Sequence, residues 1–467
     1  MVFTSHIFVF YFLPFVLLVY YLLPRGARNL FLTVASYLFY GWWKPWFVTL
    51  MMTSTLVDYV SARVISAEGA SPRRRKLALV ASMCTNLGLL GVFKYAMFAQ
   101  RNLNWLLEAA GADGFAMLEI TLPIGISFYT FQTMSYTIDV YRGVAPPVRR
   151  LSDFSCFVAL FPQLIAGPIV RYNTVAVQLA ERTHTLARFS SGVSLFILGF
   201  AKKILLANPV GNIADAAFAA DHPAALVAWM GAAAFAFQIY FDFSGYSDMA
   251  IGLGRMLGFE FPKNFDSPYH SQSITEFWRR WHISLSTFLR DYLYFPLGGN
   301  RRGARRTYVN LATVMLLGGL WHGAYWQFVL WGAYHGALLI AERLIGKKPF
   351  YARLPRPVRI GITFALVVIS WVPFRAETIG GAMEHLGCMF GLAGTGPAAA
   401  LLTGEVLALH NLMTMGLCIA FVAFKTQAWD YAEKITIPRV AVLTGVFVLA
   451  IAAMFAQAFN PFLYFQF

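Results

Sequence analysis

Val440–Phe459 reads VAVLTGVFVLAIAAMFAQAF, twenty residues without an Asp, Glu, Lys or Arg. A helix rises about 1.5 Å per residue, so such a run crosses the roughly 30 Å of hydrocarbon in a bilayer. Ile7–Leu23, IFVFYFLPFVLLVYYLL, is likewise uncharged. Hydrocarbon offers no hydrogen-bond partners, so a chain built from such runs must satisfy its backbone internally, as helices rather than as an open sheet.

Working inward from the two ends, apolar helix-length segments recur near residues 29–43, 46–65, 77–93, 120–140, 190–206, 225–243, 308–321, 325–345, 360–374 and 404–424. Together they predict an all-α, polytopic integral membrane bundle of about 11 or 12 membrane segments. Some segments are short or interrupted, as at Pro123 and Gly125 or at Gly318 and Gly319. No repeat or low-complexity linker divides the chain, so residues 1–467 are read as one membrane domain.

Composition excludes most other classes. Apolar residues make up 58% of the chain and charged residues 13%, whereas a soluble domain carries about 25% charged residues. The net charge of +15 does not signal nucleic acid, because the cations gather between apolar runs. They form Arg73–Lys76, then Arg301, Arg302, Arg305 and Arg306, then Lys347 and Lys348. That is the positive-inside pattern, with basic loops in the cytoplasm and the amino terminus outside. By the same rule the chain between Arg306 and Lys347 enters the membrane and returns, carrying His322 with it. The first apolar run lacks a basic leader and a small-residue cleavage site, and is expected to stay as a membrane helix. Cys84, Cys156, Cys388 and Cys418 show no CxxC spacing, so they are read as packing residues with neither a zinc site nor a disulfide framework.

Three segments could carry chemistry. Thr275–Gly299, TEFWRRWHISLSTFLRDYLYFPLGG, has helical propensity up to Pro296. A continuous helix would align Glu276, Arg279, His282, Ser286 and Arg290 on one face. Such a stripe fits an amphipathic helix on the membrane surface, or the wall of a polar chamber in which His282 meets substrate. The second segment, Leu316–Gly336, sets His322 among Gly318, Gly319, Gly323 and aromatic residues. A membrane histidine can be a mere interhelical hydrogen-bonding group, yet a neutral imidazole is also suited to accept a proton near pH 7. His6, His335 and His410 lack a comparable polar neighbourhood and read as structural. In the third, Tyr240–Gly252, Asp242 and Asp248 sit where an apolar run ends. They could bind a cation, orient a histidine or cap a helix. Motifs for a serine elbow, nucleotide loop, HExxH zinc site or dinucleotide fold are missing from the sequence.

Seven stretches together resemble the membrane-bound O-acyltransferase family, and within it the branch serving bacterial alginate O-acetylation. They are Val2–Pro24, Ala35–Trp43, Leu122–Gly143, Leu164–Arg171, Tyr240–Gly254, Ser271–Arg301 and Leu316–Ala324. The resemblance implies that His322, in LWHG, is the essential histidine and His282, in FWRRWHISLS, the second active-site position. It implies a central tunnel joining a cytoplasmic thioester, expected to be acetyl-CoA acting as substrate with no bound cofactor and no metal, to an acceptor outside. Arg279, Arg280, Ser286 and Trp321 are expected to hold the donor. Arg301–Arg306 could draw its phosphates as well as set topology.

The resemblance further implies a bacterial inner-membrane, multi-pass protein surrounded by lipid. Its partners would be a periplasmic SGNH-type acetyltransferase and, directly or through that partner, a polysaccharide acceptor, with no nucleic acid. The chain ends at Phe467, where the alginate branch would allow a further polar tail, which leaves the polymer open. A covalent acetyl-histidine relay is an alternative to general-base catalysis. D-alanyl transfer to teichoic acid and proton-coupled transport are the alternative functions.

Overall fold

The computed structural model describes residues 1–346, 348–424, 426–458 and 461–463. Lys347 of the basic pair, Phe459 at the end of the last apolar run and the terminal Phe467 lie outside the described residues. Nearly every expected apolar segment is a helix, among them Phe47–Ile65, Pro72–Leu90, Ile126–Tyr141 and Ile437–Ala456, and no strand occurs among the described residues. Among the described residues five helices are long and apolar enough to cross a bilayer singly, and the bent pair Ala399–Val406 and Leu409–Ala423 makes a sixth if the two together form one span. The polytopic helical bundle stands, with several expected segments formed as shorter or divided helices. The first run, for example, is a π-helical turn at Phe8–Phe12 followed by an α-helix from Leu13.

The chain forms two compact units, Met1–Val193 with Ala250–Pro262, and Ser194–Met249 with Lys263–Phe467. In the first, Phe47–Ile65, Pro72–Leu90 and Ile126–Tyr141 enclose polar groups rather than an all-apolar core. Asp58 is fully buried and accepts from Ser82 and from Asn86 Nδ2, the latter at 2.8 Å. Ser54 in turn donates to Asn86 Oδ1 at 2.6 Å. Hydrogen bonds between helices are what a bundle in lipid can use when apolar burial gives no preference for protein over lipid.

The second unit holds His282 and His322. Its relevant helices are α1 (Ala225–Met256, which contributes here up to Met249), α2 (Ile274–Arg280), α3 (Ile283–Leu289), α4 (Gly303–His322), α5 (Trp326–Leu344) and α6 (Arg356–Arg375). The helices α4 and α5 form an antiparallel hairpin, as the basic clusters at its open end predict. Gly319 and Gly332 make the hairpin close-fitting. A Cβ on Gly319 would lie 2.2 Å from the Phe328 carbonyl oxygen, and one on Gly332 2.3 Å from that of Met315. These glycines are therefore taken up by backbone approach. Gly318 alone of the cluster has room for a side chain, since an added Cβ would meet Leu289 on α3 in ordinary contact at 3.4 Å.

Candidate active site

The continuous helix expected from Thr275 to Pro296 does not form. Helix α2 stops at Arg280, Trp281 is extended, and His282 has φ +42° in the left-handed region, after which α3 begins. A non-glycine residue is costly there and persists only where its surroundings hold it.

The buried residue Asn264 provides that hold. Asn264 accepts the Ile283 N–H through its backbone oxygen at 2.9 Å. Its side-chain Oδ1 accepts the Ser284 N–H at 3.2 Å and the Ser284 hydroxyl at 2.8 Å. A helix start leaves such N–H groups without intrahelical partners, and here a residue remote in sequence supplies the cap of α3. Glu342 on α5 does the same for α2, accepting the N–H groups of Ile274 at 2.7 Å and Thr275 at 2.9 Å through its two carboxylate oxygens. Trp281 fills the break, packing against Phe265, Phe277 and Trp371 at ring separations of 5.1, 5.5 and 5.1 Å.

The break disperses the expected stripe. Glu276 and Arg280 pair with each other at 3.0 Å, and Arg290 pairs with its neighbour Asp291 at 2.7 Å. His282 turns inward, 1% exposed, and its ring lies 6.5 Å from that of His322, which is 6% exposed at the end of α4. Trp321 packs against both imidazoles, at 6.0 and 5.0 Å. Trp331 and Phe374 bracket His322 at 5.2 and 5.3 Å.

His322 lines a cavity of about 500 Å³ together with Arg279, Ser286, Gly318, Trp331 and Arg343. A second cavity of about 700 Å³ shares Thr275, Arg279 and Arg343 with it and adds Arg280, Glu276 and Asp266. Of the residues expected to hold the donor, Arg279 and Ser286 thus share the His322 cavity, Arg280 lies in the adjoining one, and Trp321 packs beside the histidines. His282 and Trp321 do not line either cavity. The arrangement couples an imidazole to a space that arginine also lines, a geometry in which a base can meet an anionic substrate.

Asp242 and Asp248 lie inside α1, which continues to Met256, so the apolar run does not end at them. Asp242 pairs with Lys203 at 2.5 Å and Asp248 with Lys202 at 2.6 Å. Asp242 Oδ2 further accepts the Leu463 N–H at 3.0 Å, so these carboxylates are engaged by lysines and a remote backbone group, in place of the expected helix cap. His335, read from the sequence as structural, has a partner at each ring nitrogen. Trp278 Nε1 donates to its Nδ1 at 3.3 Å, and its Nε2 meets Ser370 Oγ at 3.0 Å. Asn264, Glu342 and Arg343 escape a local reading of the sequence, because their partners lie between 18 and 68 residues away or across a cavity.

Comparison with known proteins places the chain in a family. The model of the MBOAT, membrane-bound O-acyltransferase, family matches residues 148–366. "Probable alginate O-acetylase AlgI" of Pseudomonas putida is 45% identical over the full length of both chains. "Peptidoglycan O-acetyltransferase" of Helicobacter pylori is 36% identical over 84% of this chain and 80% of its own. "Teichoic acid D-alanyltransferase" of Streptococcus thermophilus is 30% identical over 54% of this chain and 68% of its own. A transporter reading is set aside by these matches, since each of these relatives is named as an acyl-transferring enzyme. With two buried histidines side by side, one opening on a cavity edged by arginine, the chain belongs to the membrane-bound O-acyltransferase family and is a multi-pass membrane O-acyltransferase.

Proposed function

We propose that the protein transfers acetyl from cytoplasmic acetyl-CoA toward an extracytoplasmic polysaccharide, of which alginate is the first candidate, in a bacterial inner membrane. The observation that carries this reading is His322 on the wall of the 500 Å³ cavity, beside Arg279 and Arg343 and within one ring's reach of His282. His322 acts as general base. It takes the proton of an acceptor hydroxyl, whose oxygen attacks the thioester carbonyl and expels the coenzyme A thiolate. Arg279 and Arg343 bind the donor's phosphates at the cavity mouth. The acceptor is the polymer itself or a hydroxyl on a periplasmic SGNH-type partner that relays acetyl to it. Acetyl is favoured over D-alanyl because the relatives named for O-acetylation match over 84% or more of this chain, against 54% for the D-alanyltransferase.

The test uses membranes containing the full chain, radiolabelled acetyl-CoA and the producing strain's polymer. His322→Ala is expected to lower label transfer about 10²- to 10⁴-fold, the usual worth of positioned proton transfer, at unchanged protein abundance. Transfer at the unsubstituted rate sinks the mechanism.

A further inference from the structure

The deepest unused arrangement in the second unit surrounds Asn264, which is 1% exposed and touches His282 from outside its own helices. Its carboxamide orientation is fixed by chemistry. The atom nearest the Ser284 backbone nitrogen, at 3.2 Å, faces an obligate donor and must be oxygen. The other end, Nδ2, then donates to Ser247 Oγ on α1 at 3.1 Å. Asn264 Oδ1 also lies 3.1 Å from His282 Nδ1, and the Ser284 hydroxyl, 3.5 Å from Nδ1, spends its proton on that same Oδ1 at 2.8 Å, so Nδ1 is the group that carries a proton toward Oδ1. A neutral His282 therefore has its lone pair on Nε2. The ring cannot easily turn to exchange the two nitrogens, because Phe243 meets it edge-on at 4.7 Å and Phe265 lies parallel at 6.5 Å.

We infer that Asn264 is a positioning residue that selects the Nδ1–H tautomer of His282 and aims its Nε2 at the reacting groups around His322, while the same oxygen caps α3 and holds the left-handed turn. The inference rests on the proposed role of His322 as base and on the reading of His282 as the second active-site position. One side chain thereby couples local backbone shape to the protonation pattern of the site.

Groups from each element packed against His282 face it: α4 presents His322 and Trp321, α1 presents Phe243, the extended segment before α2 presents Asn264 and Phe265, and α3 presents Ser284, whose hydroxyl oxygen lies 3.5 Å from Nδ1. The carboxylates of α1, Asp242 and Asp248, are paired with Lys203 and Lys202.

Asn264→Leu removes the acceptor at similar volume, and Asn264→Asp keeps it and adds a negative charge. Labelled acetyl transfer from acetyl-CoA in membranes, at matched abundance and matched thermal stability in detergent, is measured for both and for His282→Ala. Asn264→Leu is expected to lose about 10²-fold in kcat with little change in KM, and Asn264→Asp to recover to within about tenfold of the unsubstituted rate. The carboxylate in Asn264→Asp favours imidazolium at position 282, so the acid limb of its pH profile moves upward by about one unit or more. In a His282→Ala background Asn264→Leu is expected to have no further effect on the residual rate. If His282→Ala is inactive while Asn264→Leu keeps the unsubstituted rate, or if Asn264→Asp fails to recover and its profile does not move, the inference is overturned. If His282→Ala is itself fully active, the parent reading of that histidine has failed instead.

Discussion

Four arginines stand near the proposed donor path, and their surroundings set them apart. Arg280 is bonded to Glu276 at 3.0 Å and to the Asp266 carbonyl at 3.1 Å, so much of its donor capacity is engaged inside the protein. Arg290 is taken by Asp291. Arg279 and Arg343 both line the two adjoining cavities, where a phosphate would meet them together. A charged hydrogen bond is worth about 1.5–3 kcal/mol, so Arg279→Ala or Arg343→Ala is expected to raise the KM for acetyl-CoA roughly 10- to 100-fold at nearly unchanged kcat. Arg280→Ala is expected to raise it less, because losing an internal pair exposed to solvent matters little. Initial rates against acetyl-CoA concentration decide this, and an Arg280 effect equal to that of Arg279 would contradict the assignment of the mouth.

At the scale of elements, period and length were the readable signals. Apolar runs such as 308–321 and 360–374 became Gly303–His322 and Arg356–Arg375 because a lipid-facing helix needs little beyond continuous apolarity. The break at Trp281 and His282 was hidden, since no Pro or Gly marks it and Trp, His and Ile are all tolerable helix residues. What holds it is the cap that Asn264 supplies to the start of α3, which a local window does not see. The same applies to Asp242 and Asp248, which look like a helix end until Lys202 and Lys203 are found beside them. Glu342 tests the idea at this scale. Its carboxylate meets two orphan N–H groups at the start of a seven-residue helix, so Glu342→Ala is expected to destabilise the protein by about 1–2 kcal/mol. Glu342→Gln should recover part of that. Thermal unfolding in detergent, followed by intrinsic fluorescence, measures both, and equal melting points for all three proteins would refute the cap.

For the molecule as a whole, the arrangement in the bilayer follows from where cations are allowed to sit. Arg301, Arg302, Arg305 and Arg306 precede or begin α4, while Lys348, Arg353, Arg356 and Arg359 follow α5. The antiparallel hairpin brings these two clusters to the same end, which the positive-inside rule assigns to the cytoplasm. In the proposed orientation the turn at residues 323–325, next to His322, faces the acceptor's side. A donor that enters near Arg279 and Arg343 and an acceptor that arrives past the turn would meet at the histidines, which is what transfer across a membrane needs. Cysteine labelling checks this directly, after the native exposed Cys84 is replaced by Ser. In intact cells, a membrane-impermeant maleimide is expected to modify Tyr325→Cys, where the native side chain is 45% exposed. It should spare Ala304→Cys and Arg353→Cys until the cytoplasmic face is opened. Labelling of Ala304→Cys from outside would invert the hairpin, and with it the direction in which acetyl is passed.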